Sequence, residues 1–152
     1  MERRLWNVCL SGEIHTDWRA EIAQAVEARQ VRVRITGPEL DHGTSDACGE
    51  TILGSEDSSF WRDHKSAKIN TIRNRSVLGN ADIVVVRFGD KYRQWNAAFD
   101  AGTAVALGKS LITLHDETLD HALKEVDAAA LATTRSVAQV VDILAYVTRR
   151  PF

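Results

Sequence analysis

Residues 81–86 read Ala81-Asp82-Ile83-Val84-Val85-Val86, and Phe88-Gly89-Asp90 follows. The last four residues of the run are β-branched and do not alternate with polar ones. That pattern predicts a strand buried on both faces, as at the centre of a parallel sheet. Upstream, a helix is predicted from Ser58 or Ser59 to Leu78, stopped by Gly79-Asn80, with Arg62, Asp63, Lys65, Lys68, Arg73 and Arg75 on its polar face. Downstream, small residues over about 94–107 predict a helix closed by Gly108. A further strand is predicted at Leu111-Ile112-Thr113-Leu114.

The flanks repeat this alternation. Leu5–Leu10 predicts a buried first strand, followed by Ser11-Gly12. A helical stretch opens at Thr16, where Trp18, Ile22, Ala25 and Val26 fall on one stripe. Val31–Ile35 alternates with period two, so this strand has one polar face and is expected at a sheet edge. Gly37-Pro38 ends it. Toward the C-terminus come a helix at Leu119–Ala130, a weak strand at Ala132–Thr134, and a helix capped by Ser136. In that last helix Val137, Val140, Val141, Leu144 and Ala145 repeat the apolar stripe.

Strand and helix thus alternate about five times. The expected fold is a doubly wound, flavodoxin/Rossmann-like α/β domain over residues 1–152. It has a five-stranded parallel sheet in the order 2-1-3-4-5 and helices on both faces. Residues 37 to about 57 interrupt the pattern. They hold four of the nine glycines and many Asp, Ser and Glu residues. A long loop is expected there, with at most one helical turn at Glu50–Leu53, and loops of that length are often functional.

Composition narrows the function classes. The 152 residues are 44% hydrophobic and 26% charged, which excludes a disordered or low-complexity chain. The net charge of −2 excludes a broad basic surface, so no nucleic-acid polymer is expected as the main partner. No apolar run approaches the roughly 20 residues of a membrane span, so no membrane partner is expected. No secretory signal is read, and Cys9 and Cys48 are expected to be free thiols in the cytoplasm.

In an open α/β sheet a ligand sits beyond the carboxyl ends of the strands, where the strand order reverses. This places the candidate site between Ser11–Asp17 and Gly89–Asp100. Gly12 at a strand end lets backbone approach a ligand, and the helix start behind it offers free N–H groups to an anion. It forms neither a dinucleotide fingerprint nor a P-loop. Glu13 and His15 add acid/base capacity. Asn96 and Asp100 share a helix face at i, i+4. Asp100 stands out, because a carboxylate between Phe99 and the run Ala101-Gly102-Thr103-Ala104-Val105-Ala106 must be paired, hydrogen-bonded or functional. Trp95 is placed either to stack a base or to be buried. Asp41, His42 and Asp46 fit no metal motif, so a polar loop is expected there. Asp82, at the opposite edge of the sheet, reads as structural. Arg73 could hold a phosphate if it turns toward the cleft.

The stretch Ala81–Val86, taken with Phe99-Asp100-Ala101-Gly102-Thr103-Ala104-Val105-Ala106-Leu107-Gly108-Lys109, resembles the nucleoside 2-deoxyribosyltransferase superfamily. Over nearly its full length the chain is similar to the small bacterial YtoQ family. Ser11–Arg19, the segment from Gly37-Pro38 to Ile52-Leu53-Gly54, and Lys68-Ile69-Asn70 carry that likeness. The resemblance implies a carboxylate nucleophile that attacks the anomeric carbon while the base leaves. The matching residue is Asp100, one methylene shorter than the family's glutamate. Its reach falls by about 1.5 Å, and a misplacement of that order weakens catalysis roughly a hundredfold. Two further acidic family positions read Asn74 and Gln94 here.

The function expected from this resemblance acts on the N-glycosidic bond of a small-molecule nucleoside or nucleotide. Asp100 is the nucleophile, with Glu13 or Asp90 as the general acid. Ser11, Gly12, Asn74, Gly89, Gln94, Trp95 and Asn96 are the expected substrate contacts. No metal and no cofactor are implied. Superfamily members commonly form oligomers, so a homo-oligomer is expected too. The alternatives are a binding module for a nucleotide or nucleotide-sugar without turnover, and a structural or interaction protein.

Overall fold

The computed structural model describes residues 4–149. Five strands, β1 (Trp6–Gly12), β2 (Val33–Thr36), β3 (Ile83–Arg87), β4 (Ser110–Leu114) and β5 (Ala132–Thr134), pair in parallel in the order β2-β1-β3-β4-β5. Val8 lies opposite Ile83 and Ile83 opposite Ser110, so β3 sits at the centre with β2 and β5 at the edges.

The β3 run divides its side chains between two cores. Ile83 and Val85 join Val8, Leu10, Ile112 and Leu114 under Trp18, Ile22 and Val26 of α1 (Trp18–Ala28). Val140, Val141 and Leu144 of α6 (Val137–Thr148) close that core. Val84 and Val86 face the other way. They pack with Cys9, Leu111, Leu78 of α3 (Ser59–Asn80) and Ala97, Ala101 and Ala104 of α4 (Trp95–Ala106). Burial on both sides explains why the run shows no alternation. The three alanines let α4 lie close to the sheet, which brings Asp100 on the same helix to the edge of β1.

Two expected elements differ. Residues 42–53 form a helix, α2 (His42–Leu53), where a loop was expected. Asp41 caps it by accepting a hydrogen bond from the Thr44 N–H at 2.8 Å, and Gly54 ends it at φ +96°. Its own sequence is a poor helix former, with Gly43 and Gly49 inside it. Packing against α3 supplies the missing stability. Ser66 Oγ donates to Asp46 O (2.6 Å) and accepts from the Gly49 N–H (3.0 Å). A Cβ on Gly49 would lie 2.6 Å from Lys65 Cβ, so this glycine is what lets the two helices approach.

The expected helix at Leu119–Ala130 is instead a 3-10 turn at Glu117–Leu119 and a short α5 (Lys124–Ala129). Asp116 caps the turn at the Thr118 N–H, the Asp120 side chain pairs with Arg135, and the backbone leaves helical geometry at Leu123 (φ −102°, ψ 11°) before α5 begins. Asp82 is structural as expected. It accepts from the Asn7 N–H at 2.8 Å and pairs with Arg4. Cys9 and Cys48 are free thiols, and burial pushes Cys9 up to about 11, so it stays protonated. Among the described residues no helix is long and apolar enough to cross a membrane.

Candidate active site

The carboxyl end of β1 is fixed by backbone geometry before any side chain reaches it. Gly12 adopts φ +106°, and a Cβ there would stand 2.1 Å from Arg87 O. Only glycine allows this approach of β1 to β3, and the next residue continues it with Glu13 N–H donating to Arg87 O at 3.0 Å. Trp18, fully buried at the start of α1, donates its indole N–H to Glu13 O at 2.7 Å. Arg19 bonds the carbonyls of Leu10, Gly12 and Glu13. Burial lowers its guanidinium to about 10 against the opposing charge of Glu13, so it remains a cation at neutral pH.

This frame opens onto a cleft of ≈ 500 Å³ where the strand order reverses. One wall is Ser11, Gly12, Glu13 and Asp100. Asn74 of α3 lies beside Asp100, and His42, Ser45 and Asp46 of α2 form another wall. The segment Tyr92–Asn96 borders the rest. Ser11 Oγ donates to Asp100 Oδ2 at 2.6 Å, and among the described residues it is that carboxylate's one hydrogen-bond partner. Burial raises the Asp100 carboxyl above its ordinary value, with the Ser11 hydroxyl pulling weakly the other way.

Glu13 is in the opposite situation. Burial pushes it up, but hydrogen bonds from the Thr16 hydroxyl and the His15 N–H, with the charge of Arg87, outweigh that and hold it below the usual range. Arg87 Nε lies 3.2 Å from Glu13 Oε2. Its geometry falls short of a hydrogen bond, so the pairing is one of charge. Glu13 is therefore an ionised brace of the loop.

Three comparisons bear on this site. Residues 9–148 match the family described as nucleoside 2-deoxyribosyltransferase YtoQ. The chain belongs to the YtoQ family. It is 40% identical over 139 residues to "Uncharacterized protein YtoQ" of Bacillus subtilis (strain 168), covering 91% of this chain and 94% of that one. Two solved structures share the fold at low identity. A 2-deoxyribosyltransferase of Bacillus psychrosaccharolyticus superposes with TM-score 0.57 at 15% identity, covering 96% of this chain and 98% of its own. A conserved protein of Enterococcus faecalis V583 gives 0.64 at 10% identity, covering 95% and 99%.

On the YtoQ fold the expected site residues separate. Ser11, Gly12, Glu13, Asn74, Gln94, Trp95, Asn96 and Asp100 all line the cleft. Gly89 and Asp90 do not. The Gly89 N–H donates to Gln94 Oε1 at 3.0 Å, and Gln94 Nε2 donates to Lys91 O at 3.0 Å, so Gln94 shapes the loop as well as facing the cleft. Trp95 is exposed rather than buried, with the Arg93 guanidinium near its ring. Arg73 turns to Glu39 at 3.3 Å and does not line the cleft.

Sequence reasoning missed Glu39 and Ser45 as cleft residues, gave no role to Tyr92 and Arg93 within the 89–100 stretch, and left His42 and Asp46 in a loop. The one signal for the last pair was the Asp41-x-x-Thr44 cap. Tyr92 sits at φ +64°, a conformation few bulky residues adopt, and its ring packs on His15 with centroids 5.0 Å apart. Outside the cleft, His115, Asp120 and Asp127 come within metal-binding reach of one another. His115 Nε2 already bonds Asp127 at 2.9 Å and Arg135 bonds Asp120 at 2.6 Å, so this cluster is satisfied from within.

Proposed function

We propose that the chain acts on the N-glycosidic bond of a nucleoside or nucleotide, with Asp100 as a carboxylate nucleophile. The observation that carries this reading is the state of Asp100: a half-buried carboxylate, tied by one hydroxyl, facing the switch-point cleft of a YtoQ-family fold. Weak stabilisation of its anion leaves it more basic and more nucleophilic than a solvated aspartate. Ser11 fixes the Oδ2 side, so Oδ1 is the atom oriented for attack on the anomeric carbon. Glu13 serves as a brace, and Asn74, Asn96 and Gln94 supply neutral hydrogen-bonding groups suited to hydroxyls and base edges. The exposed face of Trp95 is a stacking surface.

The second reading is a binding module without turnover. Asn74 and Gln94, at positions where the resemblance implies acids, favour it. The expected homo-oligomer stays a proposal, supported by the large apolar side chains left exposed at Phe60, Trp61, Trp95 and Phe99.

The test is incubation with a panel of deoxy- and ribonucleosides and their monophosphates, with and without an acceptor base, read by chromatography. Free or exchanged base from the wild type and none from Asp100→Asn supports the enzyme. Saturable binding with no product supports the module. Equal product from both proteins rejects Asp100 as the nucleophile.

A further inference from the structure

We infer that His42, oriented by Asp46, is the general acid of the cleft. This inference rests on the glycosyl-transfer reading above and deepens it. The chemistry requires a proton donor, because a departing base carries away the electron pair of the C1′–N bond. Glu13 is held ionised by Thr16, His15 and Arg87, and Asp90 lies off the cleft. Asp100 is committed to attack. The donor must be found among the remaining groups.

Two histidines line the cleft. The ring of His15 lies against Tyr92, and among the described residues no carboxylate reaches it. The ring of His42 has a carboxylate partner one helical turn on, with Nε2 3.3 Å from Asp46 Oδ2. An imidazole that is paired at one nitrogen and open at the other is the arrangement that acid–base catalysis uses. Asp46, one turn on along α2, is the group that orients the ring. The other charged groups facing the cleft are Glu39, already paired with Arg73, together with Glu13, Asp100 and Arg93. The backbone of α2 places the pair there. The Asp41 cap sets the first turn at His42, and the Ser66 bridge to Asp46 O holds the second.

The step balances as follows. An oxygen of Asp100 forms a bond to C1′ as the C1′–N bond breaks. The bond's electron pair goes to the base, and the proton on His42 Nδ1 moves to the base with it. The products are a glycosyl ester of Asp100, a neutral base, and a neutral His42 that keeps its proton on Nε2. In the second step His42 Nδ1 removes a proton from water or an acceptor base as that group attacks C1′ and releases Asp100.

The test compares two substrates on the wild type, His42→Gln, Asp46→Asn, His15→Gln and Asp100→Asn. One substrate is a nucleoside cleaved by the wild type. The other is the matching 4-nitrophenyl furanoside, whose leaving group departs without protonation. His42→Gln is expected to lose about 10²–10⁴-fold on the nucleoside, while on the aryl glycoside the initial burst of nitrophenolate, which reads only the first step, keeps close to its wild-type rate and the later steady phase slows. Asp46→Asn is expected to show the same split at smaller amplitude, and both variants lose the basic limb of the nucleoside pH profile. His42 is exposed, so both variants should fold, which thermal melting checks. Equal losses on the nucleoside and in the nitrophenolate burst, or a split confined to His15→Gln, overturn the assignment while the Asp100 reading stands. No wild-type turnover of either substrate, or Asp100→Asn matching wild type, removes the glycosyl reading and this inference with it.

Discussion

One wall of the cleft grows out of the sheet, and the other is added by the α2–α3 hairpin. The first holds Ser11, Gly12, Glu13 and Asp100, tied down by Trp18, Arg19 and the backbone of Arg87. The second holds His42, Ser45 and Asp46, mostly exposed, on a helix kept in place by Ser66 and a capping aspartate. The difference matters for chemistry. A nucleophile needs fixed geometry to attack, whereas a proton donor must follow the leaving group and tolerates a softer support. It also matters for stability, because the first wall is continuous with both hydrophobic cores and the second is not.

Four substitutions probe that contrast. The largest effect is expected at Gly12→Ala, which combines a left-handed φ with a Cβ driven into the Arg87 carbonyl. It should cost about 3–5 kcal/mol by urea denaturation, and a loss under about 1 kcal/mol would show that the sheet wall yields more than its geometry implies.

Next comes Glu13→Gln, which leaves Arg87 beside a neutral partner. The expected loss is about 3 kcal/mol at neutral pH. The folded state holds the Glu13 carboxyl below its unfolded value. Its contribution is therefore complete above the ordinary glutamate range and is lost as pH falls through the lower, folded value. The gap between wild type and variant should close as pH is lowered, and a gap independent of pH would refute the brace.

Gly49→Ala pushes a Cβ into Lys65 and Ser66 and should cost about 2 kcal/mol. Its mark is local. Hydrogen exchange should accelerate in α2 and stay unchanged in β1 and β3. Acceleration spread evenly over the sheet would show that the two walls are one cooperative unit.

The smallest effect is a gain. Because burial raises the Asp100 carboxyl, its ionisation opposes folding above that raised value, and the opposition vanishes below the unfolded aspartate range. Asp100→Asn should stabilise the protein by about 1 kcal/mol at neutral pH, with the gain shrinking on acidification in thermal melts.

The same contrast governs what the amino-acid sequence revealed. The sheet wall was legible because its cause is local: an uninterrupted β-branched run, a glycine after a strand, and a carboxylate set among alanines. The two-faced burial of Ile83–Val86 followed from those signals, whereas the strand order was an assumption made from the fold class and no local signal dictated it. The hairpin wall was not legible. Gly43 and Gly49 lower the helix propensity of α2, and the compensation lies in Ser66 and Lys65, 16 or more residues along the chain from Gly49. With α2 read as a loop, His42 and Asp46 had no common face, and their pairing stayed hidden. Glu13 was visible as an acid, but its locked state depends on Arg87, which only the β1–β3 register brings near.

The central claim is that Asp100 forms a bond to the sugar. The direct measurement is mass spectrometry of the protein quenched in acid during turnover of a nucleoside, followed by peptide mapping. The account expects a glycosyl adduct on the peptide that contains Asp100, absent from Asp100→Asn. Steady turnover with the adduct on another peptide, or continued turnover by Asp100→Asn, would contradict it.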